Sequence, residues 1–582
     1  MRNKKEHVMK KLGALVLILF TVNLSAQTTS QKIDQLITKY QEFRLFNGSA
    51  LVADNNETIF KKGYGFANME WKIPNKPDTK FRLGSITKQF TATLIMQLVE
   101  KGKIKLDGKL TDYLPYYSKD TGDKITIHHL LTHTSGIPSY TNLPDFLSKK
   151  SRTFYEPDDF VKEYCSGTLE FEPGSQFVYN NSGYFILGAI LEKVTGIKYD
   201  ELVKEKIFVP LGMDNSGYDW SADILPNRAA GYEKTFSGYR NASFIDMSLP
   251  YAAGSLYSTV EDLLIWNRSF YSEKILERKS WDKMFTGYIK AFGNAQYGYG
   301  WAVDKYFNGK DSLKVITHGG GINGFNTIGY YLPQKGQFVA LFSNAGGAPL
   351  NEITQQILKI LYGKETVNPK QSLAEYINKM ILEDGISEAG KAFNELKNDS
   401  ENFRLAENEL NNLGYELLNK KMYDEALAVF KMNINQFSKS ANVYDSYGEA
   451  WAKKGVKDSA IVYYKKSLVL NPRNAGAIKY LQEMGVKVEE PAEIKVSKEI
   501  LELYTGKYEI APSFIITITV DGEQVFAQAT GQPKFEIFAE SDDTFYLKVV
   551  EAKIKFSKDA EGKCTGLTLF QGGRELSGKK IE

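Results

Sequence analysis

Ser85 and Lys88 stand in S-I-T-K, three residues apart. On a helix that spacing puts the lysine amine one turn on from the serine hydroxyl, close enough to approach it. A serine hydroxyl is a weak nucleophile until its proton is removed. Lysine can accept that proton only where burial, a second cation or a helix N-terminus brings its pKa well below the free value of about 10. The pairing therefore demands a closed pocket. S-x-x-K recurs at Ser280 with Lys283 and at Ser577 with Lys580, but only Ser85 follows a strand-like F-R-L-G and opens a long apolar run. A second group is Tyr179 with Asn181 in Y-N-N-S-G-Y, where a phenol can relay protons. Y-x-N also occurs at Tyr140 with Asn142 and Tyr306 with Asn308; Tyr179 stands out because Pro173 and Gly174 make a tight turn before it and Gly183 permits close packing behind it. The third group is His318, Gly319, Gly320 and Gly321, a glycine-rich strand edge that a substrate backbone can approach closely.

The elements that position these groups mix strands and helices. Residues 48–53 and 58–65 form a predicted hairpin, and residues 87–100 a buried helix that Gly102 stops. A helix over residues 185–194 follows Tyr179. Another opens at Asp262, with Thr259 and Asp262 at capping-box spacing. Residues 328–332 and 337–343 are paired strands around Pro333 to Gly336. This predicts one α/β (α+β) hydrolytic domain over residues 27–363.

Beyond it, residues 364–405 are expected to be a helical linker that caps a repeat in residues 406–487. Gly414 with Gly448, Ala426 with Ala460, and Phe430 with Tyr464 are each 34 residues apart. That period resembles the tetratricopeptide repeat, a helix-turn-helix unit whose small residues let paired helices approach. After a charged linker, residues 496–582 alternate like strands, with a two-residue hairpin turn at Asp521 and Gly522, and predict a small all-β barrel or sandwich.

Lys4, Lys5, Lys10 and Lys11 precede a short apolar run and the small residues Ser25 and Ala26, the pattern of a signal peptide over residues 1–26. The run is too short to span a bilayer, and the mature chain is expected to have no transmembrane segment. Export would remove five basic residues and one acidic residue, leaving 73 − 5 = 68 basic against 70 − 1 = 69 acidic side chains. A net charge near −1 gives no support for nucleic-acid binding. Cys165 and Cys564 fall in different domains and are expected to stay unpaired.

In chain order, S-x-x-K, Y-x-N and a basic residue with glycines, together with L-L-T-H-T-S-G-I-P at residues 130–138 and A-A-G-S-L-Y-S-T at 252–259, resemble the penicillin-binding-protein and serine β-lactamase superfamily, class C in particular. The resemblance covers roughly residues 48–361. It implies that Ser85 is the acylated nucleophile, Lys88 its general base or the base's partner, and Tyr179 the group that protonates the leaving atom and later activates water. Asn181 would hydrogen-bond the substrate, and the N–H groups of Ser85 and Gly321 would form the oxyanion hole. No cofactor is implied. A small-molecule or peptide substrate is, and the repeats could add a protein partner. His318 departs from the Lys-Thr-Gly or Lys-Ser-Gly of many members, which weakens recognition of the carboxylate shared by β-lactams and terminal D-alanine. Left at its reference pKa of about 6.5, it would make that recognition pH-dependent.

The function expected is an exported, periplasmic or extracellular serine hydrolase acting on a D-alanyl peptide, an ester or a β-lactam. The alternative is a sensor or scaffold with a hydrolase-like domain and no turnover. A metal hydrolase built on His128, His129 and His133 lacks an assignable carboxylate ligand, although His129 and His133 could share a helix face.

Overall fold

The computed structural model describes residues 27–581 apart from 145, 271, 489–493, 512–513, 531, 533, 551 and 572–573. The signal peptide inferred for residues 1–26 lies outside the described residues. Among the described residues, the first domain is built on an eight-stranded antiparallel sheet in the spatial order Ile289–Lys290, Gln296–Tyr297, Ala302–Phe307, Ser312–Ile322, Phe325–Leu332, Gln337–Ser343, Gly48–Asp54 and Glu57–Tyr64. The first strand in the chain pairs with the last, Gly48 opposite Ser343, so the two ends of the domain close on one another.

Side-chain alternation divides two cores across this sheet. Leu51, Ala53, Phe338, Ala340 and Phe342 face the larger one, and Ala50, Val52, Val339 and Leu341 the smaller one. Both faces are buried, which is why these strands look continuously apolar in sequence. The helices Thr29–Glu42 and Leu350–Leu361 cover the smaller core through Ile33, Ile37, Ile353 and Ile357. The helical region between the two halves of the sheet covers the other. Its centre is the helix Thr87–Glu100, with eleven of fourteen residues buried. Phe90 stacks on Trp266 at 4.5 Å, whose indole N–H donates to Gln89 Oε1 at 3.0 Å. The helix opened by Thr259 begins at Val260, and the Thr259 hydroxyl accepts the Asp262 N–H at 3.1 Å.

The helix after Tyr179 begins earlier than its apolar run suggests. It spans Asn181–Thr195 because Asn180 caps it, the Asn180 side-chain oxygen accepting the Gly183 N–H at 2.9 Å. This places Asn181 in the first turn of the helix.

Residues 373–483 are helical, with Leu373–Asp384 and Ile386–Leu396 ahead of Glu407–Asn419, Tyr423–Gln436, Ala441–Lys453, Lys457–Leu470 and Ala475–Glu483. The recurring glycines have one role: a Cβ on Gly414 would lie 2.5 Å from the Phe430 ring, and one on Gly448 would lie 3.1 Å from the Tyr464 ring. Each lets its helix close onto the aromatic of the next. This array docks on the first domain through Glu375, which meets Arg44 at 2.7 Å and Lys234 at 2.6 Å, and through Glu416, which accepts the Phe236 N–H at 3.0 Å. The final segment is a closed eight-stranded barrel. Its strands include Gly506–Ala511, Gln524–Ala529 and Arg574–Lys580, and the two-residue turn expected at Asp521 and Gly522 is instead Gly522 with Glu523, because Asp521 is still paired with Gln524. Cys165 and Cys564 are both buried and free. No described helix is long and apolar enough to cross a membrane.

The strand Phe81–Arg82, which leads into Ser85, is anchored by charge. Asp219 is buried and meets Arg82 at 2.5 Å and Arg228 at 2.7 Å. Removing the carboxylate leaves two guanidinium groups competing without a counter-ion in a poorly solvated site. Asp219→Ala should lower the unfolding free energy by about 3 kcal/mol or more, measured by urea titration of the whole chain.

Candidate active site

Two glycines bring the serine to the sheet. Ser85 lies in the short 3-10 turn Gly84–Ile86 that feeds the helix Thr87–Glu100. Gly84 has φ +55°, and a Cβ there would sit 2.9 Å from the Gly321 nitrogen; a Cβ on Gly320 would sit 1.9 Å from the Leu83 carbonyl oxygen. That carbonyl also accepts the Thr327 hydroxyl at 2.7 Å. Any side chain at these positions would force the turn off the strand. The contact sets the Ser85 turn directly against Gly321.

Lys88 is fully buried. Its Nζ lies 3.1 Å from Ser85 Oγ, 2.8 Å from Asn181 Oδ1 and 2.9 Å from the Ala253 carbonyl oxygen. Burial holds its pKa well below the ordinary lysine value. A neutral amine has two N–H bonds and one lone pair. The Asn181 and Ala253 oxygens can only accept, so they take both N–H bonds and leave the lone pair for the Ser85 O–H. The arrangement leaves the amine able to take up the Ser85 proton.

Tyr179 packs beside the same amine, its ring centroid 5.0 Å from Lys88 Nζ. Its hydroxyl is buried and makes no hydrogen bond of good geometry, although Ser85 is near enough to offset part of its desolvation. Burial pushes the phenol's pKa up, so it stays protonated and can donate. Asn181 donates its amide N–H to Thr141 Oγ1 at 3.3 Å. With its oxygen on Lys88, this side chain orients the amine more than it reaches outward.

His318 lies on the strand Ser312–Ile322, buried, with both ring nitrogens engaged. Nδ1 is 2.6 Å from the Gly319 carbonyl, which can only accept, so Nδ1 carries the proton; Nε2 then accepts from the Tyr297 hydroxyl at 2.8 Å. Burial, helped by the nearby Lys88, lowers its pKa to about 4. The imidazole is therefore neutral across the pH range in which an unshifted histidine would titrate.

The competing motifs do not converge on such a pocket. Ser280 is buried in the helix Arg278–Met284, and Ser577 and Lys580 lie on the barrel strand Arg574–Lys580, where a three-residue separation sends side chains to opposite faces. Tyr140 donates its hydroxyl to the Leu249 carbonyl, and Tyr306 lies on the strand Ala302–Phe307. The histidines separate as well. His128 meets the Tyr299 hydroxyl at 2.8 Å and His129 accepts the Thr126 N–H at 3.2 Å. His133 stands beyond the end of the helix Ile127–Leu131 with φ +59°, so it shares no helix face with His129. Among the described residues no group of three or more His, Cys, Asp or Glu is placed to hold a metal ion.

Two contributors lie outside the three motifs. The Ala253 carbonyl belongs to A-A-G-S-L-Y-S-T, and His133, whose ring lies 4.3 Å from that of Tyr179, belongs to L-L-T-H-T-S-G-I-P. Their presence in those segments was visible, but a backbone acceptor carries no side-chain signal.

This chain belongs to the β-lactamase family, whose profile matches residues 33–362. It is 31% identical over 329 residues to PbpX of Bacillus subtilis, covering 56% of this chain and 78% of that one. It is also 31% identical over 288 residues to the teichoic acid D-alanine hydrolase of Staphylococcus aureus, covering 49% and 67%. Among solved structures, a penicillin-binding protein from Bacillus halodurans superposes with a TM-score of 0.50 and 29% identity, over 55% of this chain and 98% of that one. Residues 490–580 match a family described only as a domain of unknown function.

Because His318 binds fewer protons folded than unfolded between pH 6.5 and about 4, it should contribute stability above pH 6.5 that is lost as pH falls through about 4. The loss should be about 3 kcal/mol. His318→Gln should flatten that part of the acid limb in chemical denaturation at pH 6.5, 5 and 4. An unchanged limb would show that the imidazole is charged in the fold.

Proposed function

We propose that this protein is an exported serine hydrolase whose Ser85 is acylated by D-alanyl esters or related D-amino-acid amides, with water then releasing the acyl group. One observation carries the reading: the buried Lys88 amine has acceptors for both of its N–H bonds and only Ser85 Oγ in front of its lone pair. Ser85 Oγ attacks the substrate carbonyl carbon as its proton passes to Lys88. The new oxyanion sits between the Ser85 and Gly321 N–H groups, each worth about 3 kcal/mol to the transition state. Tyr179, held protonated by burial, gives its proton to the leaving oxygen or nitrogen as the carbon–heteroatom bond breaks, and is reprotonated from Lys88. In the second half water attacks the acyl ester, its proton passes through Tyr179 and Lys88, and Ser85 regains a hydrogen.

Charge at the third motif supports this substrate class. A β-lactam or a terminal D-alanyl peptide carries a carboxylate that a cation at the third motif would hold, and His318 is neutral there. A D-alanyl ester instead carries an ammonium group. The teichoic acid D-alanine hydrolase among the relatives supports the same choice. The basic, apolar leader supports export. The 34-residue recurrence, with glycine set on aromatic in both units, supports tetratricopeptide-type units that dock a protein partner.

D-alanyl p-nitrophenyl ester should be hydrolysed at least tenfold more efficiently, by kcat/KM, than penicillin or the L-alanyl ester, and Ser85→Ala should abolish both turnover and fluorophosphonate labelling. Tyr179→Phe should cut kcat by at least 100-fold and add nothing to the loss in Ser85→Ala. Labelling that persists in Ser85→Ala would overturn the nucleophile, and a preference for penicillin would overturn the substrate class.

A further inference from the structure

His133 has no part in the chemistry above, yet it holds the segment that carries Tyr179 at three points. Its carbonyl accepts the Val178 N–H at 3.0 Å, and its ring Nδ1 accepts the Asn180 N–H at 3.0 Å. Its ring lies over that of Tyr179, with centroids 4.3 Å apart and planes 40° apart. The amides on both sides of Tyr179, and one face of its phenol, therefore end on a single residue. The same segment continues into Asn180, which caps the next helix, and Asn181, whose oxygen takes a proton of Lys88.

The conformation of His133 is unfavourable for packing alone. Its φ of +59° lies in the left-handed region, which few residues other than glycine adopt, although histidine enters it more readily than most, as asparagine and aspartate do. Because Nδ1 accepts a backbone N–H, the ring proton must sit on Nε2, and that buried nitrogen has no hydrogen-bond partner. A strained backbone and an unsatisfied buried donor are both costs. An apolar side chain would avoid the second of them. What it could not supply is the acceptor for Asn180.

The groups around the ring give it no proton to exchange. Tyr179, Tyr184, Tyr297 and Phe177 surround it, and burial, with Lys88 and His318 whenever either is protonated, opposes a positive charge on it. Its imidazole is thus a fixed neutral acceptor.

We propose that His133 is a positioning residue for the hydrolysis: its Nδ1 and ring face fix the backbone and phenol of Tyr179 at the Ser85–Lys88 pair. The inference rests on the proton-donating role assigned to Tyr179. Loss of the Nδ1 contact lets the 178–180 segment shift and misaligns proton transfer to the leaving group, while the surface that first meets the substrate is unchanged. The effect belongs in kcat rather than KM.

The test compares His133→Ala, His133→Asn and Tyr179→Phe on the D-alanyl ester, with folding followed by circular dichroism. Asparagine tolerates positive φ, and its Oδ1 can accept the Asn180 N–H, whereas alanine offers no acceptor. His133→Ala should lose about 10- to 100-fold in kcat with KM within twofold, and His133→Asn should recover to within about fivefold of the parent. The shape of the pH–rate profile should be the same in both variants as in the parent. Equal activity of the Ala and Asn variants, a folded Asn variant without recovery, an Asn variant that does not fold, or loss of a pH limb would each overturn the proposal. If His133→Ala does not fold, the Asn variant alone decides, near-parent turnover supporting the proposal. Unimpaired turnover in Tyr179→Phe would instead refute the proton-donating role on which it rests.

Discussion

The arrangement depends on keeping one lysine amine out of water. Lys88 lies on a helix buried on nearly every side, and among the described residues no carboxylate is placed to offset its desolvation. An ammonium in such a place is unfavourable, and burial favours the uncharged amine. The helix Thr87–Glu100, the turn carrying Ala253 and the start of the helix Asn181–Thr195 must all close around it. Its two acceptors come from segments far apart in the chain, which ties the fold of the helical region to the state of a single nitrogen.

The sheet supplies the complementary constraint. Its glycine strand must approach the Ser85 turn at backbone contact, and the absence of side chains at Gly84 and Gly320 permits this. Ser85 is thereby fixed from below by its helix and from the side by the strand. Arg82, Asp219 and Arg228 then hold the lead-in strand. The helical array and the barrel lie outside this arrangement, and Glu375 and Glu416 join the array to the surface of the first domain.

The sequence showed much of this because local rules and tertiary packing agreed. The helix over residues 87–100 has the bounds expected from its apolar run and from Gly102. The strands around Pro333 were bounded by turn residues. Where one helix start moved, a polar residue was responsible: Asn180 as a cap started its helix four residues before Phe185. The site was partly visible for the same reason. Side chains such as Ser85, Lys88 and Tyr179 announce chemistry by type and spacing, whereas the Ala253 carbonyl and the Nδ1 atom of His133 act through contacts that only the folded chain creates. His318 shows the converse. Its type suggested a pH-dependent cation, and burial between Tyr297 and Gly319 made it a neutral, fully engaged ring.

The central claim is that Lys88 is a neutral amine in the resting protein. It can be observed directly by nitrogen NMR of the chain labelled at lysine Nζ, with Lys88→Met identifying the resonance. The account predicts one Nζ signal with the shift of an uncharged amine at pH 8, titrating well below the other lysines. A Lys88 signal that remains that of an ammonium ion until the bulk lysines titrate would contradict it.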